Sequence, residues 1–372
     1  MLETLIAGVI GVMVLITATM SILAILNSLN LQTTRIALDE ESKLIADYLV
    51  TRIQSAGNEH IRPWAVVYAH DEGSSTISHQ LDPGKRADAL TIGSAHGQEM
   101  TVNSWSWSTG NAGVDLVVYG TNICGECPQF KQEHVIIYHA NQKAYYPAYV
   151  TNQTPGVITK GECTGDPVND QQVQVACQYD LVFSRAGAKP INSHLILGVD
   201  SPMLSMQRVT FETFYLMTRD KFKQHQLWVY QDKNNNGRPD KANNERYTIA
   251  NGVHDFQVSM GYDYNPQDRR LEDFENLEDE WLFNSANDCN PDNDLITNHN
   301  NDGYIVPQGA RPDQLRMVSI GITLGKRIVG IGRDKKYSFV QHFNGDCLNP
   351  YGFQLRETKS KAMLRSLNLY EP

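Results

Sequence analysis

Between Thr4 and Thr34 the chain carries no charged side chain, and from Leu5 to Leu26 nearly every residue is apolar or small. A run of about 20 such residues matches the hydrocarbon thickness of a bilayer, so the first segment must meet lipid or other apolar helices. Glu3 stands at its tip. An ionised carboxylate at membrane depth costs roughly 2.5 to 3.5 kcal/mol even on lenient insertion scales, so such a residue is retained for a purpose. A secretory signal would show a basic start, a shorter apolar core and a small-residue cleavage site. Here the first basic residue is Arg35. The simplest expectation is that a basic leader has been removed and that the sequence begins near a mature terminus.

Helical character continues past the apolar run. In IALDEESKLIADYLVTRIQSAGN, Leu38, Ile45, Leu49 and Ile53 share a stripe, while Asp39, Glu40, Lys43, Asp47 and Arg52 cover the other faces. Gly57 falls where a C-terminal cap is expected, and the first proline is Pro63. The pattern predicts one helix of roughly 55 residues, about 80 Å long at 1.5 Å per residue. Its first part, 1–30, is filament-core or transmembrane in character, and its second, 31–58, is amphipathic and must lie on a folded domain. Beyond it WAVVYAH, ADALTIGSA, VDLVVYG, HVIIYHA, RVTFETFYLM, HQLWVYQD, HDFQVSMGYD and QLRMVSIGITLG read as strands between turn clusters. Residues 59–200 are expected to form a loop-rich β subdomain or insertion, and 201–372 the β-rich core. The fold class is α+β, a long N-terminal helix packed on a large antiparallel head with disulfides.

The 372 residues have a formal charge of -10, which argues against nucleic acid as a partner. Six cysteines, Cys124, Cys127, Cys163, Cys177, Cys289 and Cys347, read behind an exporting anchor as three disulfides. Fifteen connectivities are open; loop economy favours Cys124 with Cys127, Cys163 with Cys177, and Cys289 with Cys347. For the first pair a redox motif and half a zinc site are rival readings, disfavoured by Pro128 and the flanking strands.

The stretch YQDKNNNGRPDKANNERY spaces oxygen ligands as a calcium loop does. Asp232, Asn234 and Asn236 occupy positions one, three and five, Gly237 the turn, Arg238 supplies a seventh-position carbonyl and Asp240 the ninth oxygen. Asn243 stands where a bidentate acid belongs, and Glu245 is near enough to substitute. The competing reading is an Asn- and Gly-rich hairpin turn without metal. Either way the role is structural. Trp105 with Trp107, and Tyr145, Tyr146 and Tyr149, are a candidate adhesive surface, against the plainer alternative of sheet packing. No HExxH, G-x-S-x-G or phosphate-cradling loop occurs, and the chain is expected not to be an enzyme.

The start MLETLIAGVIGVMVL, with its acid, apolar helix, amphipathic continuation and β domain, resembles type IV pilin-like proteins. ANGVHDFQVSMGYD, RMVSIGITLG and RETKSKAMLRSLNLYEP resemble minor pilins of the PilW type. The resemblance implies that apolar helices bundle in a filament and that Glu3 pairs with the terminal ammonium, methylated in such proteins, of a neighbouring subunit. It further implies partnership with other minor pilins and the major pilin, priming of pilus assembly, and display at the tip, where an adhesin or surface ligand is met. Before assembly the chain would sit in the inner membrane with its head in the periplasm. The family's acid lies two places further from the mature terminus, so two residues and the leader are expected to be missing, or the processing to differ. A type II secretion pseudopilin is the near rival. A membrane-anchored periplasmic binding protein or hydrolase is the distant one.

Overall fold

The computed structural model describes residues 2–57, 61, 66–70, 88–107, 116–123, 127–139, 144–160, 174–185, 204–219, 224–236, 245–262, 281–282, 314–327, 340–341, 347–348 and 353–364. Helix α1 runs unbroken over Leu2–Gln54, 53 residues, through Gly8 and Gly11. Four of its hydroxyls suit an apolar setting: Thr17, Thr19, Ser21 and Thr33 each donate to a carbonyl one turn back, at 2.7 to 2.9 Å, so those hydrogens do not need water. The helix ends as the amphipathic stripe ends. Gly57 takes φ 72°, the left-handed region that glycine enters without a Cβ clash, and its N–H reaches the Gly93 carbonyl at 3.0 Å.

Only the second half of α1 is packed. Leu38, Ser42, Ile45, Ala46, Leu49 and Ile53 are buried, against an antiparallel sheet of four strands in the order β11-β10-β12-β15. These are β10 (Val253–Tyr262), β11 (Trp281–Leu282), β12 (Leu315–Arg327) and β15 (Phe353–Met363). The helix crosses β15 most closely. There Ser42 Oγ and Thr358 Oγ1 share a hydrogen bond, and Asp39 pairs with Arg356 at 2.9 Å. A short pair, β13 (Val340–Gln341) and β14 (Cys347–Leu348), stands beside it.

The larger sheet has nine strands: β1 (Val67–His70), β2 (Ala89–Trp107), β3 (Leu116–Ile123), β4 (His134–His139), β5 (Ala144–Lys160), β6 (Gln174–Phe183), β7 (Leu204–Arg219), β8 (Gln224–Tyr230) and β9 (Arg246–Asn251). Their order is β1-β2-β3-β6-β5-β4-β7-β8-β9, and β2 also pairs with β7. That extra pairing closes β2, β3, β6, β5, β4 and β7 into an antiparallel barrel, which removes edges from those strands. Cross-strand partners share a face, and the chain of partners Met100–Met206–Ile137–Tyr146 is buried throughout. It marks the barrel interior. A register shift between His96 and Glu99 marks a bulge in β2, whose first half pairs with β7 on one side and β1 on the other. The sheet thus takes strands from both sides of position 200.

The barrel carries a strap. Cys127 and Cys177 form a disulfide with Cα atoms 5.7 Å apart, and the strap's Phe130 ring lies 5.4 Å from that of Tyr179. The Tyr179 hydroxyl and Gln153 Nε2 both donate to the Pro128 carbonyl at 2.9 Å. This corrects the expectation from loop economy: Cys127 is not joined to Cys124, nor Cys177 to Cys163. Short loops are cheap to close, but β3 and β6 are neighbours in the barrel, and their pairing carries Cys177 to the strap. Cys124, Cys163 and Cys289 lie outside the described residues, and Cys347 begins β14.

Candidate functional site

Two features stand out as functional candidates. The first is the free half of α1. Leu5, Ile6, Val9, Ile10, Val12, Met13, Val14 and Leu15 are all at least half exposed, and so are Ile22, Leu23, Leu26 and Leu29. Among the described residues, none from 2 to 37 is buried. From Leu5 to Leu26 this surface is apolar or small almost throughout, and the helix holds a segment long and apolar enough to cross a membrane. Glu3 sits in its first turn, exposed, where the exposed amide hydrogens of a helix start favour a negative charge. Arg52 occupies the last turn and forms an ion pair with Glu212 of β7.

The second is the loop between β8 and β9. Hairpin pairing brings Gln231 N to the Glu245 carbonyl at 2.7 Å, so Glu245 comes beside Asp232 despite thirteen positions of separation. Both are buried, at 1 % and 2 % exposure. Glu245 accepts from Lys233 N at 3.2 Å; Asp232 Oδ1 and Asn234 Oδ1 both accept from Asn236 N at 3.0 Å. Burial, then the charges of Asp232 and Glu245, hold the Tyr149 phenol above its ordinary range; burial and the Asp232 charge do most of the same for Tyr230. Arg238 and Asp240 lie outside the described residues. Among those described, no three His, Cys, Asp or Glu side chains converge on a metal position.

Docking of this loop depends on residues that its spacing does not announce. Asn235, at φ 57°, donates its amide to the Phe183 carbonyl at 2.9 Å and accepts from Arg185 N. His134 opens β4 and is buried between two partners, Ser184 Oγ at 2.9 Å from Nδ1 and the Asp232 carbonyl at Nε2. Its ring lies 4.9 Å from that of Tyr149, whose hydroxyl donates to the Lys233 carbonyl at 3.1 Å. Burial holds the imidazole down to about 4, against the upward pull of the Asp232 carbonyl. The only sequence sign was a histidine leading an apolar strand, and nothing in it pointed to residues 50 and 98 positions away.

The adhesive surface is corrected in part. Tyr145, Tyr146 and Tyr149 are buried, at 1 %, 6 % and 8 % exposure, because β5 lies within the barrel and both its faces are covered there. They are packing residues. Trp105 and Trp107 lie on β2, with side chains outside what is described.

The long N-terminal apolar helix with a β-rich head fits a pilin-like architecture and is compatible with a single-pass membrane anchor. Compared with protein-family models, with characterised proteins and with solved structures, the chain shows no match.

Proposed function

We propose that the chain is an assembly subunit of the type IV pilin class, a minor pilin of the PilW type that primes a pilus and is displayed at its tip. The reading is carried by one observation: α1 is buried only from Leu38 onward, and its run from Leu5 to Leu26, apolar or small almost throughout, is exposed. Such a rod is stable in lipid and equally stable among similar rods, so it can pass from one setting to the other. In a helical bundle, removing one member of a buried ion pair costs about 3 to 5 kcal/mol, and Glu3 would serve as the register mark by pairing with a neighbour's terminal ammonium. The subunit would begin in the inner membrane with its head outside the cytoplasm and end on the surface appendage with other pilins. Its work would be packing and presentation, not catalysis. Glu3→Ala tests this: fibre number on cells should collapse while the variant still inserts in the membrane. Unchanged fibre production would overturn the reading, and recovery of the chain within a secretion apparatus would favour the pseudopilin alternative.

For the loop between β8 and β9 we propose a structural calcium ion. Asp232, Asn234, Asn236, Asp240 and Glu245, with the Arg238 carbonyl, are oxygen donors of the kind a hard cation prefers, and the burial of both Asp232 and Glu245 on one loop favours such a charge. Calcium, relative to a chelator, should raise the melting temperature of the wild type and leave that of Asp232→Asn unmoved. Equal melting of the wild type in both would dispose of the ion.

A further inference from the structure

The head-docked half of α1 keeps one side turned away from the protein. On it Ile36, Glu40 and Leu44 follow at four-residue intervals, which makes a single ridge on a helix surface; the next residue in that row, Tyr48, turns back to the head, with its ring 6.3 Å from that of Phe214. Leu44 is 71 % exposed and Ile36 58 %; among the described residues of the head, Met363 alone of the apolar side chains exceeds Ile36, and none exceeds Leu44. The ridge prolongs the exposed column of Leu15, Ile22, Leu26 and Leu29 in the apolar half, which keeps the same helical phase. Leu44 lies outside the buried stripe, whose apolar members are Leu38, Ile45, Ala46, Leu49 and Ile53.

The charges beside the ridge are unequal. Glu40, Glu41 and Asp47 are exposed there, with Lys43 the exposed cation. Asp39 and Arg52 are already engaged by Arg356 and Glu212. Copies anchored through the same apolar half enter a membrane in the same direction, so a second copy would bring these carboxylates against their own kind. Like charges at close range are destabilising.

We propose that this ridge docks the amphipathic helix of a different subunit, one with an apolar centre flanked by Lys or Arg, and that it selects against a second copy of this chain. The proposal rests on the assembly reading and names the partner chemistry for that assembly.

It is tested with the full chain in non-ionic detergent and two synthetic helices that share one leucine row, flanked by Lys in one and by Glu in the other. The Lys-flanked helix should bind at least tenfold more tightly at low salt. Glu40→Lys with Glu41→Lys and Asp47→Lys should reverse that preference. Leu44→Ser should weaken the Lys-flanked helix about tenfold, which a diffuse attraction to a chain of charge -10 would not show. Equal binding of the two helices, an unaffected Leu44→Ser, or self-association of the wild type that Leu44→Ser abolishes would each overturn the proposal. The helix preference should also persist in Glu3→Ala. If Glu3→Ala leaves fibres intact while the preference holds, the assembly reading falls and the docking ridge stands.

Discussion

His134 shows how much one side chain can join. It is held between the Ser184 hydroxyl and the Asp232 carbonyl, against the rings of Tyr149 and Phe211, and so ties β4, the end of β6 and the acidic loop together. Its imidazole titrates at about 4 when folded and near 6.5 when free, so the unfolded chain binds the proton first. Stability is therefore full above pH 6.5 and declines as the pH falls toward 4, by up to about 3 kcal/mol. The melting temperature should drop over that window, and His134→Gln should be less stable at pH 7 yet flatter across it. A wild-type melting temperature that is constant from pH 7 to 5 would contradict this. Near the C-terminal end of α1, Leu49 is wholly buried. Leu49→Ala should cost about 2 to 5 kcal/mol, read by denaturant unfolding of the head.

At the scale of elements, the strap and β15 are instructive. The Cys127–Cys177 link closes 50 positions of chain, and in the chain-entropy model this contributes about 4 kcal/mol. Cys177→Ala should lower the unfolding midpoint accordingly, and an unaltered midpoint would mean that the Pro128 and Phe130 contacts hold the strap unaided. The strands that alternate or run apolar, such as HVIIYH and VHDFQVSMGY, were legible. Strands β5, β6, β9 and β15 were not. β5 contains Pro147 and Pro155, which ordinarily argue against a strand interior. In β15, FQLRETKSKAM, the helix-facing residues Arg356 and Thr358 are polar because Asp39 and Ser42 meet them. Its exposed Lys359 and Lys361 are the charges that protect an edge. Neither pattern looks like a strand until its partner is known.

For the molecule as a whole, the division of α1 is the decisive property. Since its buried residues begin at Leu38, removal of residues 1–30 should leave a soluble head that keeps its β circular dichroism, loses helical signal in proportion to the turns removed, and melts within a few degrees of the parent. A truncated chain that aggregates or loses its β signal would show that the apolar half also supports the head. The helix, its passage from an apolar to an amphipathic part, the turn at Gly57 and the α+β class were all readable from the chain, because periodicity and a lack of charge act locally and along one rod; that burial begins only at Leu38 was not. Closure of the barrel, the Cys127–Cys177 pairing, burial of Tyr145, Tyr146 and Tyr149, and the convergence of His134, Ser184 and Asp232 were decided by tertiary structure alone. Each requires residues about 50 or more positions apart to meet, or a covering layer to arrive, and no local pattern of residues encodes which distant strand will be the neighbour.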